Sequence, residues 1–276
     1  MKKNLYLAVL SLFIALPVSH SAQAEKIYSV GVVPQFEARR INEIWQPILE
    51  EVSQQSGIKL ELKASSSIPV FEKQLAAGEF DFAYMNPYHA IVSNEEQGYA
   101  PLLRDTGRSL YGVIVVKQDS PIQSVKELDG KIVAFPSPNA LGAALLPRAE
   151  LARKFNIEIE ELYVKSHSSV YLNVLLDKAV AGGGVQKTLS QQPEKIRNQL
   201  RILHKTERLP PHPITAHPRV ASSVQSRVSA AFIQMDNSET GKDLLKMIPM
   251  KKIGEASILD YESLKKLGLH EYYVAR

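Results

Sequence analysis

Cysteine is absent from this 276-residue chain. Without cysteine the chain can form no disulfide, carry no catalytic thiolate and have no lipid-modified N-terminal cysteine. Its stability must therefore come from a packed core. Hydrophobic residues make up 45% of the sequence, which is enough to bury the core of one large or two medium α/β domains.

A strong excess of either charge is also lacking. The formal net charge is +4. Residues 1–24 contribute two lysines and no acid, so the chain without them has a net charge of +2. No run of basic residues contradicts this balance, which argues against nucleic acid or an acidic membrane as the main partner.

Long apolar runs are missing except at the N-terminus. Two lysines precede an apolar run over residues 5–16, and an Ala-Gln-Ala motif follows it and ends at Ala24. These are the three regions of a secretory signal peptide, and the run is short for a membrane span. We predict a signal peptide over residues 1–24, cleavage after Ala24, and export of a soluble mature chain that begins at Glu25.

The rest of the chain alternates between strand and helix patterns. Residues 27–33 have the composition of a strand, and apolar residues recur at three- and four-residue steps over 41–52, which predicts a helix ending at Gly57. Such a repeat with short connections predicts mainly parallel sheets, with ligands bound beyond the carboxyl ends of the strands. We expect four loops to lie at one edge, those after Val33, Ala64, Tyr84 and Phe135.

Residues 131–148 contain a candidate anion site. A buried strand over 131–135, a proline-containing turn and a helix pattern from Ala140 onward follow one another, so the first N–H groups of the helix and the positive end of its dipole would point at one spot. Pro147 must fall in the first helical turn or kink the helix, which places the helix start near Leu145. The alternative, an ordinary βα turn without a ligand, is the commoner structure for such a segment.

The segment from Tyr84 to His89 follows another predicted strand and contains phenol, amide and imidazole groups. Pro87 prevents the strand from continuing, and Asn86 suits a helix N-cap with Pro87 at the first helical position. Capping and ligand binding are compatible, because a helix N-terminus also points donors outward. We therefore keep Tyr84, Asn86 and Tyr88 as candidates for ligand binding.

Other patterns give little support for catalysis or metal binding. The sequence has no zinc-protease or serine-hydrolase motif, and prolines separate His212 from His217, so the two do not share a helix face as metal ligands would. Residues 182–184 are three glycines without the lysine of a phosphate loop, and we interpret them as a site of close backbone packing. His167 lies at a predicted helix start, where a surface histidine is the commoner alternative to a ligand-binding one.

Two extended segments suit crossings between two lobes. Residues 110–116 form a strongly apolar strand pattern, and residues 209–214 contain prolines that keep the chain extended. Helical patterns over 222–235, 239–247 and 261–266 then predict a returning cap on the first lobe.

Several segments together resemble one known family. They are residues 80–83 (Phe-Asp-Phe-Ala), 117–122, 127–134, the Leu-Leu-Pro at 145–147, His167, and 211–214 (Pro-His-Pro-Ile). Over essentially its whole mature length, the chain resembles the substrate-binding components of phosphate, phosphite and phosphonate ABC transporters. His167 and the Leu-Leu-Pro turn point more narrowly to the phosphonate branch.

The resemblance implies the type II periplasmic-binding-protein fold, in which two α/β lobes with mainly parallel sheets are joined by two crossing strands. Lobe 1 would be discontinuous, with residues 25–110 and 214–276, and lobe 2 would cover 111–213. The implied function is that of a periplasmic protein that closes on a small anionic ligand, similar to phosphate, phosphite or phosphonate, and delivers it to an inner-membrane ABC permease. We expect a monomer without cofactor, bound metal, nucleic-acid partner or enzymatic activity.

The resemblance also suggests which residues line the ligand cleft. They are Tyr84, Asn86, Tyr88, Asn139, Ala140, Leu141, His167 and His212. Family members usually place Ser-Thr-Ser where this chain has Ala140-Leu141-Gly142, and usually carry an acid where it has His212, while Gln186 stands where some relatives carry another acid.

These departures remove hydroxyl donors and a negative charge from the expected pocket. We expect backbone N–H groups and a protonated His212 or His167 to compensate, which would favour anions that lack an ammonium group. The alternative is that His212 packs among its prolines and faces solvent.

An alternative function keeps the same fold in a signalling role. The protein would then present its bound or empty state to a membrane sensor, such as a histidine kinase or a cyclic-nucleotide enzyme. We take uptake as the leading hypothesis.

Overall fold

The computed structural model of the protein describes residues 26–248 and 250–275. The predicted signal peptide, residues 1–24, lies outside the described residues. None of the described helices has both the length and the apolar character needed to cross a membrane.

Two β-sheets form the framework of the described chain. The strands are β1 (Tyr28–Val32), β2 (Leu60–Lys63), β3 (Phe82–Tyr84), β4 (Ala100–Asp105), β5 (Gly112–Lys117), β6 (Ile132–Phe135), β7 (Glu160–Tyr163), β8 (Ala181–Val185), β9 (Leu200–Lys205), β10 (Ile214–Ala216) and β11 (Ile253–Glu255). One sheet has the order β11-β4-β10-β3-β1-β2 and the other has the order β7-β6-β8-β5-β9.

Helices flank both sheets. They are α1 (Ala38–Ser56), α2 (Ile68–Ala76), α3 (Pro87–Gln97), α4 (Leu146–Phe155), α5 (His167–Leu175), α6 (Gln186–Ser190), α7 (Glu194–Arg197), α8 (Ser222–Met235) and α9 (Glu239–Met247). Short 3₁₀ segments cover Val125–Leu128, Ile258–Leu267 and Leu269–Glu271, and a π-helical turn covers Leu141–Leu145. We call the six-stranded sheet with its helices the first lobe and the five-stranded sheet with its helices the second lobe.

The predicted two-lobe α/β architecture is confirmed, but the sheets are mixed and not mainly parallel. Strand β1 runs parallel to β2 and β3, and β6 runs parallel to β7 and β8. Strand β10 is antiparallel to β3 and β4, β11 is antiparallel to β4, and β5 is antiparallel to β8 and β9. The exact residue limits of the two lobes stay a prediction.

The antiparallel pairs in the second lobe follow from how the chain enters and leaves it. Leu110 and Leu209 form an isolated antiparallel bridge, with N–H to carbonyl distances of 2.9 Å and 2.8 Å in the two directions. Strand β5 continues the chain after Leu110, and β9 ends shortly before Leu209, so the two strands also run in opposite directions. This bridge is where the two crossings meet.

Helix α1 shows how the sequence pattern produces the first-lobe core. Its apolar face includes Ile48, Leu49 and Val52, each at most 1% exposed. Complete burial of such side chains contributes roughly 1.5–3 kcal/mol each. The helix ends at Gly57, whose φ of 63° is the left-handed conformation predicted for a glycine at this position.

The three glycines at 182–184 confirm the prediction of close backbone packing. A Cβ on Gly183 would lie 2.0 Å from the Ala143 carbonyl oxygen, and one on Gly184 would lie 2.1 Å from the Tyr171 hydroxyl oxygen. From β5, Gly112 makes a similar approach, because its Cβ would lie 1.9 Å from the Gly142 carbonyl oxygen. Glycines on two neighbouring strands thus allow the turn before α4 to lie directly on the second sheet.

Candidate functional site

A small cavity, called here the central cavity, lies between the two lobes. Its lining includes residues that follow β1, β2, β3 and β6, which confirms the prediction that these four connections converge, and it also includes residues from α5, β8 and the second crossing. The lining residues are Val33, Gln35, Ile68, Asn86, Ala140, Leu141, Gly142, Ala143, His167, Val185 and His212. The cavity has about 10 Å³ of free volume, which leaves room for about one water molecule. The lobes are therefore in a closed arrangement.

The second-lobe wall is the turn between β6 and α4. Ala140 precedes the π-helical turn, and its carbonyl oxygen accepts hydrogen bonds from the N–H groups of Ala143, Ala144 and Leu145 at 3.1, 2.7 and 3.2 Å. Helix α4 begins at Leu146 with a proline in its first turn, which confirms the predicted helix start.

Two backbone donors of this turn have no partner within the described fold. The N–H groups of Leu141 and Gly142 have no hydrogen-bond acceptor among the described residues. Unpaired N–H groups at a helix start carry partial positive charge and bind anions without any charged side chain.

His167 also lines the central cavity. It is the first residue of α5, and its Nδ1 lies 3.1 Å from the Thr188 hydroxyl oxygen. The Thr188 hydroxyl oxygen also lies 3.0 Å from the Val185 carbonyl oxygen and 3.0 Å from the Tyr171 hydroxyl oxygen, so a buried hydrogen-bond network holds the imidazole in place. Burial lowers the pKa of His167 to about 3, so the ring is neutral at pH 7.

His212 is also buried and neutral. Its ring stacks on Tyr84 with a centroid separation of 5.3 Å, and its Nε2 lies 3.5 Å from the Gln35 amide nitrogen. Burial, together with the proximity of His89 and His167, lowers the pKa of His212 to about 3. Because His212 is only 6% exposed, the alternative that it faces solvent is wrong, while protonation of His212 or His167 beside a bound anion stays a prediction.

Asn86 lines the cavity and joins the two lobes. Its side-chain oxygen accepts a hydrogen bond from the His89 N–H at 2.8 Å, with Pro87 at the first helical position, so the predicted cap is confirmed. Its amide nitrogen donates to the Asn139 carbonyl at 3.1 Å, across the boundary between the lobes. A second bond crosses nearby, from the His167 N–H to the Gln35 carbonyl at 3.4 Å.

The structure brings five of the eight predicted residues together at the cavity: Asn86, Ala140, Leu141, His167 and His212. The other three lie outside its lining. Tyr84 lies behind the His212 ring, and Tyr88 packs against Tyr273 at 5.4 Å. Asn139 instead uses its side chain to bind Glu72 and the backbone of Val274. The ligand-binding role of all eight stays a prediction.

Sequence reasoning missed several lining residues. Gln35 is the important polar one, because its side chain and its carbonyl contact histidines of the cavity wall. The sequence feature that could have identified Gln35 is its position in the loop after β1, at the edge of the sheet that was expected to bind ligand. The other missed residues, which include Ile68 and Val185, are apolar and gave no signal of their own.

Among the residues that the structure describes, no group of three or more His, Asp or Glu side chains could hold a metal ion. The central cavity is lined by neutral polar groups and apolar side chains. Two lobes joined by paired crossings and closed over such a cavity are typical of a solute-binding protein.

The family described as "ABC transporter, phosphonate, periplasmic substrate-binding protein" matches residues 30–261. The chain belongs to this family, which confirms the resemblance noted from the sequence. The family consists of transporter binding proteins and not of enzymes.

Individual relatives are distant. The phosphate-import protein PhnD of Mycolicibacterium smegmatis is 24% identical over 168 residues, which cover 56% of this chain and 48% of the relative. The match therefore spans about half of that curated relative.

Solved structures confirm the fold. A binding protein component of an ABC phosphonate transporter from Pseudomonas aeruginosa superposes with a TM-score of 0.82 at 16% identity, covering 90% of this chain and 87% of the other. PhnD1 from Prochlorococcus marinus in complex with methylphosphonate gives a TM-score of 0.80 at 14% identity, with coverages of 91% and 100%.

Proposed function

We propose that this protein captures a small phosphorus oxyanion in the central cavity and delivers it to an ABC permease. The observation that carries the proposal is the pair of unpaired N–H groups at Leu141 and Gly142, in a cavity between the lobes of a chain from this family. We further propose that residues 1–24 act as a signal peptide and that the mature protein works in the periplasm as a monomer without catalytic activity.

The lining favours a ligand that carries an apolar substituent. None of the described residues that line the cavity has a charged side chain, and Ile68, Leu141 and Val185 supply apolar surface. A fourth oxygen on phosphorus would meet this surface without a partner, at a cost of roughly 1–3 kcal/mol. We therefore propose an alkylphosphonate or phosphite as ligand in preference to phosphate.

The neutral His212 also argues for a ligand without an amino group. A buried ammonium group needs a negatively charged hydrogen-bond acceptor, and the cavity lining contains no carboxylate. No described contact favours the signalling alternative, and we do not propose it.

A pair of variants tests the role of the backbone donor at Leu141. In Leu141→Pro the N–H is removed, and proline fits the first position of a helical turn. Leu141→Ala also removes the leucine side chain but keeps the backbone N–H. Calorimetry with methylphosphonate should show binding to Leu141→Ala and at least tenfold weaker binding to Leu141→Pro, since a hydrogen bond to a charged group contributes roughly 1.5–3 kcal/mol.

A thermal-shift screen of the mature protein tests the ligand class. Methylphosphonate or phosphite at a hundred times its dissociation constant should stabilise the fold by about 2.7 kcal/mol. Phosphate and 2-aminoethylphosphonate should give smaller shifts at equal concentration. If no phosphorus oxyanion raises the melting temperature, the proposed function is wrong.

A further inference from the structure

A second and larger cleft, called here the basic cleft, opens beside the two crossings. It has a volume of about 850 Å³ and shares no lining residue with the central cavity. Its walls include Arg108, Ser109, Tyr111, Gln186, Lys187 and Arg208. These residues come from both sides of the Leu110–Leu209 bridge and from α6 of the second lobe.

Three cations and no carboxylate line the basic cleft. Arg108, Lys187 and Arg208 form no ion pair with any described residue. Burial and the nearby Arg108 guanidinium lower the pKa of Lys187, which means that its ammonium group lacks a compensating negative charge. An unpaired and partly buried cation is costly, and such groups concentrate at binding sites.

The walls of the basic cleft are held in place by hydrogen bonds. The Gln186 side-chain oxygen accepts from the Tyr111 N–H at 3.2 Å, and its amide nitrogen donates to the Ser109 carbonyl at 3.0 Å. Arg208 donates to the Ser109 hydroxyl at 2.9 Å, and its guanidinium lies 5.0 Å from the centre of the Tyr111 ring. A ligand would therefore meet an ordered wall, which reduces the entropy cost of binding.

Positive charge continues beyond the basic cleft. Arg108 and Lys187 also line a neighbouring depression with Lys242, Lys246 and Lys251, where Asp236 is the only acidic lining residue among those described. Of these lysines, Lys242 pairs with Glu239 and Lys246 pairs with Asp243, while Lys251 has no ion pair with a described residue. The whole chain has a net charge of only +4, and its sequence has no basic run. The fold thus collects cations from distant segments onto one face, and concave cationic surfaces attract anions.

We propose that the basic cleft is a second anion-binding site, which takes a small polyanion of the diphosphate or triphosphate class. Three separate cations suit a ligand with several phosphate groups better than a single oxyanion. The volume lies within the range of about 300–1,000 Å³ that is usual for small-molecule sites. Because Arg108 lies beside the crossing and Lys187 lies on α6, a bound polyanion would bridge the hinge region to the second lobe.

Calorimetry with inorganic tripolyphosphate at low salt tests this site. The wild-type protein should show saturable binding, and Lys187→Gln and Arg108→Gln should each weaken it about tenfold through the loss of one charge-assisted interaction. The matched control is Lys126→Gln, which removes the same charge from an exposed lysine outside the basic cleft and should leave the affinity unchanged. Equal weakening in Lys187→Gln and Lys126→Gln, or no saturable binding to the wild type, would overturn the proposal.

A second comparison separates the basic cleft from the central cavity. Leu141→Pro should bind tripolyphosphate as tightly as the wild type does, because Leu141 lies outside the basic cleft. Loss of tripolyphosphate binding in Leu141→Pro would place the anion in the central cavity and overturn the second site. Since none of these readouts uses methylphosphonate, a failure of the proposed function would leave the test intact.

Discussion

At the scale of single residues, two buried histidines determine how the central cavity responds to pH. His167 and His212 are each at most 6% exposed and have pKa values lowered to about 3, against an ordinary value of about 6.5. Both are therefore neutral in the closed fold over the usual pH range. Protonation of either ring requires its exposure to water or the arrival of an anion.

The sign of the resulting pH effect follows from proton linkage. Between pH 6.5 and pH 3 the two histidines bind more protons in the unfolded chain than in the folded protein. The free energy of unfolding is therefore highest above about pH 6.5, where both rings are neutral in either state, and it decreases as the pH falls. The loss is at most about 1.4 kcal/mol per pH unit for each histidine. Melting temperatures from pH 8 to pH 5 should fall for the wild type and should fall less for His167→Gln and His212→Gln.

The control for this prediction is His270→Gln. His270 is exposed on the surface, so its replacement should leave the pH dependence of the wild type unchanged. The same pH profile in His212→Gln and the wild type would mean that His212 is not buried as a neutral group.

At this scale the sequence predicted which residues lie near the cavity better than it predicted where their side chains point. Asn86 and His167 were identified from their places after strands and at helix starts, and His212 from the family resemblance, and all three line the cavity. Tyr88 and Asn139 were identified in the same way, but their side chains point to other partners. The direction of a side chain in a turn depends on tertiary contacts, here with Tyr273 and Val274, which no local pattern contains.

At the scale of elements, the turn before α4 depends on the strand beneath it. Gly183→Ala would bring a Cβ to 2.0 Å from the Ala143 carbonyl oxygen and 2.6 Å from the Phe135 ring, so the turn would have to move. Overpacking of this kind costs typically about 1–3 kcal/mol. We expect urea denaturation of Gly183→Ala to show a loss in this range, and calorimetry to show weaker methylphosphonate binding.

A glycine in a looser setting provides the control. A Cβ on Gly107 would lie 3.3 Å from the Lys252 Cβ and 3.4 Å from an Asp105 carboxylate oxygen. Gly107→Ala should therefore cost less than Gly183→Ala. Equal stability of Gly183→Ala and the wild type would contradict the close packing of the turn on β8.

Elements with a strong local pattern were predicted well. The bounds of α8 and α9 match the predicted 222–235 and 239–247. Strands β4, β10 and β11 were not predicted. Two of them have only three residues, too few to show an alternating pattern, and they pair with partners distant in the sequence. Without them, the mixed character of the first sheet could not be inferred.

At the scale of the whole molecule, the proposed capture of an oxyanion in the central cavity requires the two lobes to move. The central cavity has about 10 Å³ of free volume, and a phosphorus oxyanion needs more room than the one water molecule that fits there. The lobes must therefore separate to admit a ligand. The paired crossings at Leu110 and Leu209 are the natural place for this motion, because a few residues at the ends of elements usually absorb the change in a hinge.

Hydrogen bonds between the lobes are compatible with such opening. At the central cavity, Asn86 donates to the Asn139 carbonyl and the His167 N–H donates to the Gln35 carbonyl, and these two bonds join neutral groups. A further bond between the lobes, from the Asn139 amide to the Glu72 carboxylate at 3.3 Å, involves an acidic group. A neutral hydrogen bond contributes only about 0.5–1.5 kcal/mol net, because water replaces the partners on opening. A bound oxyanion that contacts Leu141 and Gly142 on one lobe and Asn86 on the other would add interactions that form only when the lobes close around the ligand.

The most direct test of this account is small-angle X-ray scattering of the mature protein with and without methylphosphonate, after calorimetry has verified that the ligand binds. The account predicts an open free protein whose radius of gyration decreases when saturating ligand closes the lobes. An identical radius of gyration in the two states, with binding verified in the same sample, would contradict capture by lobe closure.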